Sequence, residues 1–258
     1  MNKLTTIFSS MPLVAVLLLT LMVTVSADAQ NVRKGLIGHW SFDEDTINGN
    51  RVEDLAGNND ATINGASIKS VKGKFGEALE FGNKNGHFVD TGLQITSRQY
   101  EDLTMMAWAK PYKRHVAWGS VMNGDDGGWD RGYGYRHDRW EVQVGKGGDW
   151  QPGPRADFNV WQHTVVIYTP DVVIFYKDGQ RFEFDDAVPT VSNNTLIIGD
   201  DIPCGPVCTF PGAIDEVLLY GRELNDNEVR QNFRSRGGQA VEAASKLAVT
   251  WGSIKRAR

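Results

Sequence analysis

The stretch that decides the fold lies near the end of the chain: PGAIDEVLLYGRELNDNEVRQNF, residues 211–233. Ala213 to Tyr220 reads as a β-strand. Its Ile214, Val217, Leu218, Leu219 and Tyr220 put apolar side chains on both faces, which marks a strand buried inside a layered structure. Gly221 breaks it. Asn225, with Glu228 three residues later, predicts a capped helix start, because the Asn side chain can accept from the amide three residues on. Val229 and Phe233, four apart, give this short helix over 225–233 one apolar face. The pair Asp215-Glu216 interrupts the apolar strand. An unpartnered carboxylate there is costly, so Asp215 is expected to meet a cation, to cap a turn or to reach the strand's outer edge.

Outward from that block, strand signals recur at short intervals and no long helical period intervenes. Leu36 to Phe42 is one strand, and Leu103 to Lys110 another, with Leu103, Met105, Met106 and Trp108 serving both faces. Gln162 to Thr169 and Val172 to Lys177 follow closely. Asp178-Gly179 then makes a tight turn into RFEF at 181–184, a strong hairpin signal. Many strands, frequent glycines and almost no helix describe an all-β antiparallel sandwich.

The first 29 residues read as an address rather than structure. Lys3 precedes the apolar run Leu13–Val25, and Ala27-Asp28-Ala29 is a small-x-small cleavage site, so the mature chain is expected to begin at Gln30. An uncleaved anchor is the rival reading, but the run is short for spanning a bilayer. A secreted, periplasmic or cell-surface location follows, with no membrane span after cleavage. Cleavage removes one Lys and one Asp, so the net charge stays at −5. That acidity argues against nucleic acid, which demands a basic stripe. Residues 30–235 suffice for one large β domain. The tail 236–258 is helix-compatible, with Leu247, Trp251 and Ile254 roughly on one stripe and Lys255, Arg256 and Arg258 at its end.

Cys204 and Cys208, in DIPCGPVCTF, form a disulfide in an exported protein more often than they stay reduced. Closing so small a loop contributes only about 2 kcal/mol of chain entropy. Two free thiols and a redox pair are the alternatives, the latter weakened because the spacing departs from the two-residue redox motif.

Residues 118–150 concentrate Trp118, Trp129, Tyr133, Tyr135, Trp140 and Trp150 among glycines and charged residues. Flat aromatic faces beside carboxylates and guanidinium groups suit a sugar, which stacks its C–H faces and hydrogen-bonds its hydroxyls. Tyr133, Tyr135 and Trp140 alternate along strands and read as core, as do Trp40, Trp108 and Trp161. Trp129 and Trp150, in Gly/Pro-rich loops, together with Asp130 and Arg131, are the expected ligand contacts. Three aspartates of NGDDGGWD (123–130) lack EF-hand spacing and read as solvated.

GLIGHWSFDE (35–44), VEDLAGNNDATING (52–65), GKFGEALEFG (73–82), DLTMMAWAKP (102–111), WQHTVVIY (161–168), YKDGQ (176–180) and GAIDEVLLYGRELNDNEV (212–229) occur in an order with a precedent. Over roughly residues 35–235 the chain resembles the LamG-like jelly-roll modules of the concanavalin A-like lectin/glucanase superfamily. The resemblance implies a jelly-roll β-sandwich with one short helix near its end. It also implies a calcium ion on the convex face, clamped between the first and last strands, with Asp215 as a ligand and Asp43 and the backbone of Gly82 as helpers. The alternative is that Asp215 caps a turn and Asp43 is solvated.

Glycoside hydrolases of this superfamily carry E-x-D-x-(x)-E on one strand. Glu183-Phe184-Asp185 comes nearest and lacks the second glutamate, while Asp215 and Glu216, being adjacent, point to opposite faces. No Ser-His-Asp order, P-loop or HExxH helix is present. The expectation is a secreted, non-catalytic binding or adhesion module for extracellular carbohydrate, with a structural calcium. A glycan-cleaving enzyme and a structural surface domain that binds protein are the alternatives.

Overall fold

The computed structural model describes residues 30–82, 86–124, 131–143, 150–184, 194–205 and 207–235. In chain order the strands are β1 Leu36–Trp40, β2 Ile47–Asn48, β3 Arg51–Val52, β4 Ala61–Asn64, β5 Lys69–Lys72, β6 Glu77–Phe81, β7 Phe88–Gln94, β8 Leu103–Pro111 and β9 His115–Asn123. There follow β10 Gly132–His137, β11 Arg139–Gln143, β12 Trp150–Arg155, β13 Gln162–Tyr168, β14 Val173–Lys177, β15 Gln180–Phe184, β16 Thr195–Ile198 and β17 Gly212–Tyr220. One helix, α1 Asp226–Arg234, comes last. The leader 1–29 and the tail 236–258 lie outside the described residues.

The strands form two antiparallel sheets. An eight-stranded sheet runs β15-β14-β13-β8-β17-β6-β5, with β1 also on β17; a nine-stranded one runs β12-β11-β10-β9-β16-β7-β4-β3-β2. This is the jelly-roll sandwich the sequence predicts. Alternation explains the core. In β8, Leu103, Met105, Ala107 and Ala109 face the other sheet and pack with Tyr133, Tyr135, Trp140 and Val142 from β10 and β11. The opposite side of the same strand carries Thr104, Met106, Trp108 and Lys110.

That second face is apolar because it too is covered. Met106, Val165, Ile167, Tyr176, Leu218 and Tyr220 form a separate cluster under Val32, Leu224 and Val229. The helix that supplies Val229 begins as expected: the Asn225 side chain accepts from Glu228 N, and the Glu228 carboxylate accepts from Asn225 N. Trp108, expected in the core, is buried on this outer side instead. It stacks on Phe233 at 5.8 Å and lies under the Lys74 ammonium, 4.1 Å from its ring centroid. Trp161, also expected in the core, is only half-buried. Asp178 and Gly179 take φ of 52° and 78°, the left-handed pair that a two-residue hairpin requires.

Segment 30–32 is strapped to the helix. Val32 N donates to Asn232 Oδ1 (2.8 Å), Asn232 Nδ2 to Tyr220 Oη (2.9 Å), Tyr220 Oη to Val32 O (2.9 Å), and Gln231 Nε2 to Gln30 O (2.9 Å). Ser235 Oγ donates to Asn31 Oδ1. Asn232→Ala strips the strap of its central partner and leaves buried polar groups unpaired. It should lower unfolding free energy by about 2–3 kcal/mol in urea titration.

His163 gives a pH signature. It is 1% exposed, and burial, aided by the Lys74 ammonium, holds its imidazole down at about 3. The unfolded chain therefore takes up this proton first, and the fold loses stability as pH falls below the ordinary value of 6.5 toward about 3. Asp178, whose Oδ1 accepts from His163 N at 2.9 Å, stays in place when the ring is exchanged. His163→Phe should flatten the acid limb of the stability curve by up to ~1.4 kcal/mol per pH unit. Parallel acid limbs in the two proteins would refute the assignment.

Candidate functional site

Two places combine buried charge with unspent hydrogen-bonding capacity. The first is the acidic pair in β17. This strand lies along β8 throughout, but its other neighbour changes: β6 pairs with Gly212–Ile214, and β1 pairs with Val217–Tyr220. Asp215 and Glu216 sit at the changeover, where the register slips and Glu216 takes φ +47°. Both are buried. Asp215 Oδ2 accepts from Lys74 N (2.7 Å) and Phe75 N (3.0 Å), and Asp43 Oδ1 accepts from Glu77 N (3.0 Å). The turn before β6 is thus hung from both aspartates. Glu216 Oε2 lies 2.8 Å from His39 Nε2.

Burial pushes the Asp215 carboxyl well above its ordinary range, the Glu216 charge adds to this, and the Phe75 and Lys74 amides oppose it. Asp43 is raised by burial against the pull of the Glu77 amide. Asp215 Oδ1 has no hydrogen-bond partner among the described residues. A Cβ at Gly73 would stand 2.4 Å from Phe75 O, 2.6 Å from Glu77 O and 2.7 Å from Asp215 Oδ2, so oxygens crowd this turn. An orphan carboxylate oxygen, a second aspartate and main-chain carbonyls are the all-oxygen donor chemistry a hard cation takes. Among the described residues no three His, Cys, Asp or Glu side chains close on one metal position, so an ion here would draw on carbonyls. Gly82 lies elsewhere. It follows β6 at the Gly212 end, roughly 13 Å along the strand from the level of Asp215 at ~3.3 Å per residue.

The second place is the outer face of the nine-stranded sheet. Because Tyr133, Tyr135, Trp140 and Val142 turn inward, Gly132, Gly134, Glu141 and Gln143 turn outward, and the pairings Gly132↔Asn123 and Gly134↔Ser120 extend the row onto β9. Gln143 Nε2 donates to Asp201 Oδ2 at 3.3 Å. Arg136 Nη2 lies 3.1 Å from Glu141 Oε2, an ion pair off the direction of a hydrogen bond to that oxygen. Burial raises the Glu141 carboxyl while Arg136 opposes it. Ser120 Oγ and Gln143 Oε1 are buried with no hydrogen-bond partner among the described residues. The two glycines admit close packing rather than open space: a Cβ at Gly132 would stand 2.3 Å from Gln143 Oε1 and 3.1 Å from Asn123 Cγ, and one at Gly134 2.2 Å from Gly119 O.

Of the ligand contacts expected from sequence, Trp129 and Asp130 lie outside the described residues. Trp150 begins β12 and is paired in register with Gln143. Arg131 is 1% exposed: its Nη1 and Nη2 donate to Tyr100 O (2.6 Å) and Glu101 O (2.7 Å), which fastens the loop before β8. Sequence reasoning singled out none of Ser120, Glu141, Gln143 and Asp201, although the alternation in RWEVQ points Glu141 and Gln143 outward. Glu183 belongs to the edge strand β15 and pairs with Arg181; Asp185 lies outside the described residues.

Comparison with known proteins agrees with this architecture. A family model described as the concanavalin A-like lectin/glucanases superfamily matches residues 83–230, more than half of the chain. The protein belongs to that superfamily. No curated protein sequence matches it. Among solved structures, the sialidase of Trypanosoma rangeli in complex with the inhibitor DANA is 19% identical with a TM-score of 0.59. The match covers 78% of this chain and 33% of the sialidase, so the chain spans about a third of that enzyme. Domain 4 of AbnA, an extracellular arabinanase from Geobacillus stearothermophilus, in complex with arabinotriose, is 19% identical with a TM-score of 0.56. Here the match covers 78% of this chain and 98% of the domain. The binding domain of Paraclostridial Mosquitocidal Protein 1 is 13% identical, with a TM-score of 0.57 and coverage of 78% and 52%. At these identities the likeness is one of fold.

The crowded turn makes one prediction. Gly73→Ala drives a methyl into two main-chain carbonyls. It should move the amides of Lys74 and Phe75 off Asp215 and cost about 1–3 kcal/mol by chemical denaturation.

Proposed function

We propose that this protein is an exported, non-catalytic binding module for extracellular carbohydrate, with the outer face of the nine-stranded sheet as its ligand surface. The observation that carries the reading is the row of buried polar side chains Ser120, Asn123, Glu141, Gln143 and Asp201, in which Ser120 Oγ and Gln143 Oε1 have no hydrogen-bond partner among the described residues. A sugar needs several fixed donors and acceptors. The arabinotriose-bound neighbour, matched over nearly its whole length, supports a sugar as ligand. Binding rather than cleavage is favoured because Glu141 is engaged by Arg136 and Asp201 by Gln143. Glycosidic cleavage asks for two carboxyls set about 5–9 Å apart across the scissile bond.

A glycan array read alongside product analysis tests this. The expected result is a defined hit without product release. Released sugar would reverse the reading in favour of an enzyme, and silence across the array would favour a protein partner. Glu141→Ala should weaken the hit about tenfold, the loss expected for one charged hydrogen-bonding group. Trp150→Ala should weaken it as well, with both variants folded by circular dichroism.

We propose further that calcium binds at Asp215 and Asp43, with the carbonyls of the turn at Phe75 and Glu77 completing the oxygen set. The ion would neutralise the buried acid pair and tie the turn to the last strand. An ion that binds only the folded chain stabilises it by about 2.7 kcal/mol at a hundredfold excess over Kd. A chelator should therefore lower Tm by several degrees, with recovery on adding calcium. Asp215→Asn, which keeps the shape but loses the charge, should abolish the response. An unchanged Tm in chelator would exclude the ion and leave Asp215 as a cap for two amides.

A further inference from the structure

The loop between β16 and β17 runs past the proposed ligand row twice. Its outgoing leg carries Asp201, whose N donates to Asp200 Oδ1 (2.8 Å) and whose Oδ2 accepts from Gln143. A 3-10 turn, Ile202–Cys204, starts at once, with Cys204 N donating to Asp201 O at 3.1 Å. The returning leg lies along β9: Ser120 N donates to Cys208 O (3.1 Å), Ser120 bridges Thr209, and His115 Nε2 meets Val207 O at 2.8 Å. Cys204 and Cys208 form a disulfide that joins the legs. Between them stands Gly205 at φ +88°, whose N donates to Ile202 O (3.2 Å) and whose O accepts from Cys208 N (3.3 Å).

We propose that the Cys204–Cys208 disulfide is a positioning element for the carbohydrate face, holding Asp201 and Ser120 in register across β9, β10 and β11. This rests on the reading of that face as the ligand site. Asp201 lies on the outgoing leg, the returning leg grips Ser120 of β9 through the bond from Ser120 N to Cys208 O, and the disulfide is the covalent tie between those legs. The bond is open to exchange from one side only, since Cys204 is exposed and Cys208 is 1% exposed. A dithiol reductant can therefore act on it. Its thiolate attacks Cys204 Sγ, the S–S bond breaks, and the electron pair leaves on Cys208 Sγ, which takes a proton. The reductant's second thiolate then displaces the Cys204 thiolate, which is protonated in turn, and the reductant closes its own disulfide. Two electrons and two protons pass to the protein, and the ligand face slackens while the two sheets persist.

The test compares wild type with Cys204→Ser/Cys208→Ser, each also in an Asp201→Asn background, using the array's best glycan as probe. The double serine variant should bind about tenfold more weakly, the scale of one displaced hydrogen-bonding group. In the Asp201→Asn background, removing the disulfide should cost less affinity than it does in wild type, because part of the effect runs through Asp201. Equal affinity with and without the disulfide, or a fully additive loss, overturns the proposal. A second measurement needs no ligand. By NMR, exchange of the Ser120 amide should quicken in the serine variant while that of Val166, in the other sheet, stays unchanged. Unaltered Ser120 exchange also overturns it. If the oxidised wild type binds no glycan, it is the reading of the face that fails, and the exchange measurement alone decides whether the clamp exists.

Discussion

Two carboxylates buried in the central strand of one sheet govern much of this structure. β17 is paired with β8 along its length, yet its second neighbour must change from β6 to β1 midway. At that seam the ladder fails, and Asp215 restores what is lost by accepting two amides from the turn that precedes β6. Asp43 does the same for the amide of Glu77. The β5–β6 hairpin and the last strand, already paired in one sheet, are therefore tied further through acid side chains where the ladder is interrupted. The arrangement concentrates negative charge in a dry place, which is why the Asp215 carboxyl is held so far from its ordinary range.

The two faces of the sandwich are treated differently. The outer side of the eight-stranded sheet is sealed by α1, by the strap at 30–32 and by the Lys74–Phe75 turn, and it is packed like a second core. The outer side of the nine-stranded sheet is polar, with glycines where its neighbour has tryptophan and methionine. A side packed with apolar groups leaves nothing for a ligand to hydrogen-bond. A side with polar groups fixed by strand register can recognise one. That asymmetry, more than any single residue, is why the proposed ligand surface lies on the nine-stranded sheet.

The fold was legible because its signals are local. The both-faces-apolar strand at 213–220, the Asp178-Gly179 turn and the Asn225/Glu228 cap each state their geometry within a few residues. The Cys204–Cys208 pair likewise lies close in sequence. The sites were less legible because they are assembled across the chain. Nothing in Lys74 or Phe75 announces that their amides serve an aspartate 140 residues on. Arg131 looks like a surface cation in a glycine-rich loop, yet it is buried against two carbonyls of a distant loop. Gly82 seemed to face the last strand at the right place, but the β6–β17 register sets it at the wrong end. Trp108 shows how burial can mislead: its apolar setting is under a helix and a lysine, not between the sheets.

The strap at the domain's two ends also has a mechanical meaning. Gln30 and Ser235 leave from one spot, joined through Asn31, Val32, Gln231 and Asn232. Tension applied between these two ends meets that small set of hydrogen bonds before it reaches any strand. The bonds would open one after another, as a zip does, while the ladders of both sheets stay unloaded. A domain tethered by both ends could thus lengthen by releasing its strap and helix and recover them when slack returns, with the ladders of the two sheets undisturbed throughout.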